Sequence, residues 1–303
     1  MRMLLVCLSV AVLFAFTLGP AQAQGASGKD STGLPGDQFS LQGALEMFKK
    51  ANSPEEFEKL LNMEENHINN LDLNGDGEID YVRVVGMRDK DVHVFILQVP
   101  VSDTESQDIA VIELEKTDNE NAVLQIVGDE DVYGEQVIVE PDGGGKDEDE
   151  EEAENEENEN SGKGPYAAAA FSAPLAPPRV VVNVWMWPCV RFVYAPGYAV
   201  WVSPWRWHVY PTWWRPWRPL AWHVFHPFRA RYHPGFAVVH RHRVVNAHRI
   251  YRPARVTSVA VKTRHHGAVN KYRVTKTTTV RTKGGAAKVK TTRTTTKVTR
   301  KRR

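Results

Sequence analysis

Between Ser40 and Val139 the spacing of apolar residues changes period once, and that change predicts the fold. Leu41, Ala44, Leu45 and Phe48 recur at i, i+3, i+4 and i+7 behind Ser40, the pattern of a short amphipathic helix with a serine cap. Ser53-Pro54-Glu55-Glu56 opens a second helix, with a cap, a proline at the first helical position and a capping-box glutamate. Phe57, Leu60 and Leu61 form its apolar stripe. After the next loop the period falls to 2, in runs at 79–87, 92–101, 109–116, 122–128 and 136–139, which predicts strands. The polar links Arg88-Asp89-Lys90-Asp91 and Thr117 to Asn121 suit hairpins, so the sheet is expected to be antiparallel. Alternation places Val92, Val94 and Ile96 on one face of the second strand, Phe95 and Leu97 on the other. Two short helices followed by an antiparallel sheet make the fold class α+β, with one core in residues 40–141.

Outside that stretch the pattern divides the chain further. Met1-Arg2-Met3, the apolar run Leu4 to Leu18 and Ala21-Gln22-Ala23 read as a secretory signal peptide over residues 1–23. Cys7 would leave with it, so Cys189 would remain unpaired and is expected to act as a small buried hydrophobe. Residues 24–39 read as a flexible leader and 142–164, with its run of Asp, Glu and Asn, as a disordered acidic linker. That linker is either a solvated spacer or an internal decoy that covers the basic half. Residues 165–255 are rich in Trp, Arg, His and Pro. Prolines at 188, 196, 204, 211, 219, 227 and 234 forbid long helices, and Ala195-Pro196-Gly197 and His233-Pro234-Gly235 suit type II turns between short strands. From Val256 to Arg303 the composition is Thr, Lys, Arg and Val, expected to be a disordered basic tail.

Charge sharpens this division. The formal net charge of +1 conceals 37 acidic and 10 basic residues up to Glu159, then 28 basic and no acidic residues beyond it. Such polarity implies a charged polymer, a surface or a second copy of the chain as partner.

One motif carries definite chemistry. Asp72, Asn74, Asp76, Glu78 and Asp80 place oxygen donors at loop positions 1, 3, 5, 7 and 9, Glu78 through its carbonyl, which suits Ca2+, with Gly77 permitting the sharp turn. Position 12 is Arg83 instead of a bidentate glutamate, so binding should be weak and structural. The plain alternative is an Asn-Gly and Asp-Gly turn with its carboxylates in solvent.

The blocks Asn69-Asn70-Leu71-Asp72-Leu73-Asn74, Asp80-Tyr81-Val82-Arg83-Val84, Leu97-Gln98-Val99-Pro100-Val101-Ser102, Thr104-Glu105-Ser106-Gln107-Asp108 and Gln125-Ile126-Val127-Gly128-Asp129-Glu130-Asp131 resemble signature segments of a group of uncharacterised exported proteins of Bacteroidota. The resemblance covers roughly residues 55–141 and, more loosely, the stretch after 180. It implies a location in a Gram-negative cell envelope and carries no activity.

All nine tryptophans lie between Trp185 and Trp222. Trp205, Arg206, Trp207, Trp213, Trp214, Arg215, Trp217 and Arg218 combine flat aromatic faces with guanidinium groups, which suits lipid headgroups, acidic glycans or stacked bases. Alternatively the tryptophans bury against the α+β unit as core. Nine of eleven histidines share this half, including His240-Arg241-His242 and His265-His266, but no neighbouring carboxylate or cysteine in the sequence completes a metal ligand set. No hydrolase, nucleophile-elbow or phosphate-loop motif is present, and His67 and His93 lack an evident catalytic partner. The expectation is therefore an exported, non-enzymatic, calcium-stabilised envelope protein that binds an anionic polymer or membrane surface. The alternatives are self-association through the acidic and basic halves, and binding of extracellular nucleic acid.

Overall fold

The computed structural model describes residues 31–144 and 179–283, with side chains described as far as Lys276. The expected signal peptide, most of the expected acidic linker and the end of the basic tail lie outside these residues. The fold is α+β. Helix α1 (Leu41–Lys50) is capped by the Ser40 side chain, which accepts from the Gly43 amide at 3.0 Å. Helix α2 (Pro54–Leu61) is capped by Ser53 on the Glu56 amide, while the Glu56 carboxylate reaches back to the Asn52 amide at 2.8 Å.

Strands β1 (Arg83–Asp89), β2 (Val92–Pro100), β3 (Ser106–Asp118), β4 (Asn121–Gly128) and β5 (Val137–Pro141) follow, with α3 (Glu130–Tyr133) between the last two. They form an antiparallel meander in chain order. The first strand starts later than the apolar alternation predicts. The amides of Ile79, Asp80 and Val82 donate instead to Trp217, to Leu71 and to the Asn62 side chain, so this stretch has no strand partner.

Strand β2 is buried along its whole length, and its alternation sorts the core into two layers as expected. Phe95 and Leu97 join Ile112, Leu114 and Ile126 under α1 and α2. Val92, Val94 and Ile96 join Val111, Val127 and Ile138 on the opposite face. Burying a side chain of Phe or Leu size stabilises by about 1.5–3 kcal/mol, so both faces must be covered.

The second half supplies much of that cover. Strand β6 (Phe236–Val239) pairs antiparallel with β5 and extends the sheet across nearly a hundred residues of sequence. Helix α4 (Pro188–Val193) packs Cys189, Val190 and Val193 into the layer of α1 and α2. Helix α6 (Val245–Tyr251) packs Val244, Ala247 and Tyr251 onto the opposite face, and helix α5 (Trp222–Ala230) lies between these elements in sequence. Cys189 is free and fully buried, and burial pushes its thiol pKa well up.

Three expectations need correction. The stretch 165–255 is mainly turns and short helices where strands were expected, because a proline such as Pro188 sits at a helix start without sacrificing a hydrogen bond. The turn glycines Gly197 and Gly235 do adopt the expected positive φ, 81° and 95°. Residues 259–283 form a long helix, α7 (Val259–Lys283), where a structureless tail was expected. It is held at its start by Ser258, whose amide donates to Gln107 Oε1 at 2.9 Å, and further along by Tyr272 on Glu135 at 2.8 Å. Within the leader, Leu34 and Phe39 are buried around a 3-10 turn.

The opposed charges of the two halves meet inside one chain. Arg255 binds Asp129 and Asp131, Arg243 binds Glu140 at 3.1 Å, Arg179 binds Asp142 at 3.1 Å, and Lys276 binds Glu135. No helix among the described residues is long and apolar enough to cross a membrane.

His93, which has no evident catalytic partner in the sequence, lies in the core, 1% exposed, edge-on to Tyr194 with Nε2 unpaired. Burial lowers its pKa to about 4. A histidine that folds only neutral contributes stability at pH values above its ordinary pKa, lost as pH falls from about 6.5 toward 4. The wild type should therefore lose up to about 3 kcal/mol relative to His93→Phe between pH 7 and pH 4. Chemical denaturation of both proteins across that range measures it, and parallel curves would refute it.

Candidate functional site

The segment 201–220 forms a ribbon along the outer edge of β1. An edge strand exposes unpaired backbone groups, and here the ribbon takes them: Gly86 N donates to Trp201 O at 2.8 Å and Ser203 N to Val84 O at 3.0 Å. Gly86 is required for this approach, since a Cβ there would lie 2.6 Å from the Trp201 carbonyl oxygen. Beyond Ser203 the ribbon turns through Arg206–Val209, then closes on the loop ahead of β1, where Ile79 N donates to Trp217 O and Leu220 N to Asn70 Oδ1.

Glu58 of α2 holds the ribbon from beneath. Its carboxylate accepts from Tyr81 OH at 2.9 Å, Ser203 OH at 2.9 Å, the Val84 amide at 2.8 Å and Trp201 Nε1 at 3.1 Å. Burial pushes the Glu58 pKa up, and the donors from Val84, Trp201, Ser203 and Tyr81 pull it back. All these interactions bind the carboxylate to structure, so Glu58 is a clasp.

The eight aromatic and cationic residues singled out in the sequence are thereby sorted. Trp214 is buried, packed edge-on to Tyr81 and Tyr210, so for it the core reading holds. Trp213 is exposed, while Trp205, Trp207 and Trp217 are half-buried. Arg206, Arg215 and Arg218 are exposed. Between the ribbon and α2 runs a cleft of about 280 Å³, walled by Tyr81, Trp201, Trp205 and Trp213 and edged by Glu55 and Lys59. A second, polar cleft of about 570 Å³ is lined by Arg83, Arg206, Trp207, Asp103, Ser102 and Thr104. Ring faces and guanidinium groups here stand beside the carboxylates of Glu55 and Asp103, so the two clefts offer apolar, cationic and acidic surface together.

The calcium-type loop lies directly behind the ribbon. Asp72 accepts the amides of Gly75, Asp76 and Gly77, Asp76 accepts that of Glu78, and Asn74 bonds both the amide and the carboxylate of Asp76. Asp80 is buried at the base, accepting the Leu73 amide at 2.5 Å. Its pKa is pushed up to about 7, first by burial and then by the charges of Asp72 and Asp76. The donor set is all oxygen, the composition calcium prefers. Gly75 and Gly77 have φ of +75° and +86°. Arg83, at position 12, turns away to Gln98 and the Trp205 carbonyl. Helix α7 touches the loop too: Arg264 donates to Leu73 O at 2.9 Å.

The carboxylates of this loop are not drawn into a tight cluster. Among the described residues, the gathered ligand group is Glu113 with His242 and His248. This corrects the expectation that the histidines of the second half lack a carboxylate, which arrives from β3, 129 and 135 residues earlier in the chain. The alternating acidic and apolar residues of β3 were the only trace of it in the sequence, and they name no partner.

The chain matches no protein-family model, no curated protein and no solved structure.

Proposed function

We propose that this is an exported, non-enzymatic protein of the Gram-negative envelope that binds an anionic glycan through the ribbon 201–218, with the Asp72 loop as a calcium-dependent brace. The observation that carries this reading is the cleft walled by Trp205 and Trp213 together with the exposed Arg206 of the second cleft. Ring faces pack against the C–H faces of sugars while arginine forks bind carboxylate or phosphate substituents. The rival reading, assembly through opposed halves of different molecules, is disfavoured because Asp129, Asp131, Glu140 and Glu135 already take basic partners within their own chain.

The test is titration of the purified full chain with an acidic polysaccharide, its neutral counterpart, lipopolysaccharide, anionic vesicles and DNA across a salt series. Saturable binding to the acidic glycan is expected, with Trp205→Ala and Trp213→Ala each weakening it about tenfold, roughly 1.4 kcal/mol. Arg206→Ala should lower the salt dependence as well as the affinity. Equal affinity for every polyanion, unchanged in the tryptophan variants, would leave only generic charge attraction and sink the proposal. Growth of large species at low salt without ligand would favour assembly.

The brace has its own readout. With the twelfth-position ligand replaced by Arg83, a dissociation constant of about 10⁻⁴–10⁻³ M is expected. At ten times that concentration Ca2+ should stabilise the fold by about 1.4 kcal/mol, and Asp76→Asn should remove the effect. A melting temperature indifferent to Ca2+ would refute calcium at this loop.

A further inference from the structure

On the sheet face away from α1 and α2, a row of polar side chains crosses three strands. Glu113 of β3 stands opposite Gln125 of β4, whose amide donates to Glu140 of β5 at 2.7 Å. All are buried beside a layer made mainly of valine and isoleucine. Gln125 and Glu140 are satisfied by the backbone of Arg241 and Arg243 and by the Arg243 guanidinium. Glu113 is treated differently. Its side chain is 0% exposed, its Oε2 contacts His242 Nε2, and its Oε1 lies 2.8 Å from His248 Nδ1.

We propose that Glu113, His242 and His248 form a binding site for one Zn2+ ion. Their ligand atoms all lie within 4.8 Å of one another. The imidazole rings are 4.5 Å apart at 68°, so they aim from different directions at one carboxylate. Two nitrogens and one oxygen are a known donor set for zinc, with bonds of about 2.0–2.2 Å and water in the fourth position of a tetrahedron. The three donors need only move apart slightly to admit the ion. Each neutral imidazole carries its proton on the ring nitrogen remote from the metal, and no electron transfer is involved. Both histidines keep about 20% of their side-chain surface exposed. His248 also lines an open cleft of about 500 Å³, a route for the ion and for the fourth ligand. A buried carboxylate is costly unless compensated, and a dication between it and two imidazoles would compensate it. The ion would tie the segment leading into α6 to the centre of the sheet.

The test uses the untagged full chain, freed of metal by chelation and titrated calorimetrically with Zn2+, with the visible absorption of Co2+ as a report of ligand geometry. One ion per chain and a tetrahedral Co2+ spectrum are expected. Glu113→Gln and the double variant His242→Ala/His248→Ala should each bind at least about tenfold more weakly, whereas Glu120→Gln, at an exposed turn outside both metal sites, should bind as wild type does. Absence of saturable binding, or binding unchanged in both variants, would overturn the site in favour of a metal-free hydrogen-bonded clamp. If Glu113→Gln fails to fold, His248→Asn, judged folded by circular dichroism, carries the same comparison.

Discussion

Replacing Glu58 by alanine should cost about 4 kcal/mol of stability and release the ribbon. Four donors converge on this carboxylate, from Tyr81, Val84, Trp201 and Ser203, and its residue is 1% exposed. Removing the acceptor leaves buried donors unsatisfied, at about 1–3 kcal/mol each, partly relieved where the ribbon lifts and water enters. Glu58→Gln should lose less, since its amide oxygen still accepts while its NH2 opposes the remaining donors. Denaturant unfolding gives the energies, and tryptophan emission shifting to the red in Glu58→Ala would report the exposure of Trp201. A stable variant with native fluorescence would mean that the ribbon is held by its backbone bonds to β1 alone. Ligand affinity should fall with the ribbon, although Glu58 is engaged by the fold.

The second large effect is expected at Arg255. Its guanidinium reaches Asp129 at 2.5 and 2.9 Å and Asp131 at 2.9 Å, and the Asp129 side chain is only 2% exposed. Losing the cation leaves a buried carboxylate without compensation, a change that costs about 3–5 kcal/mol in buried pairs. Arg255 is itself a quarter exposed, so water softens the loss, and Arg255→Met should cost about 3 kcal/mol. The double variant Arg255→Met/Asp129→Asn should recover much of that, because the uncompensated charge is gone. A surface pair would give at most about 1 kcal/mol and no recovery, which is the result that would refute the buried interlock.

What the linear pattern revealed was local. The caps at Ser40 and Ser53 were legible because a helix start is decided within four residues. The two faces of β2 were legible because successive side chains of a strand point opposite ways. The antiparallel pairing of β1 with β2 and of β3 with β4 was legible in the short polar links at 88–91 and 117–121. Of the ligand-binding candidates, the sequence proposed both the Asp72 loop and the aromatic ribbon, since each is a contiguous stretch of suggestive side chains. It did not separate Trp214, which packs on Tyr81, from Trp213, its exposed neighbour, because burial is decided by what lies opposite.

The helices of the second half were misread for a related reason. The prolines do bar long helices between 188 and 251, yet Pro188 begins the short α4, and the long α7 beyond them owes its position to Gln107, Glu135 and Leu73 more than to any apolar stripe of its own.

By itself, then, the sequence determined the helix and strand periods, the α+β class and the opposition of charge between halves, all set by near neighbours or by composition. Only the tertiary structure decided where those charges meet. Asp129 finds Arg255 at 126 residues' remove and Glu113 finds His242 at 129, because a buried carboxylate must be compensated by whichever groups the packed sheet brings within hydrogen-bonding reach.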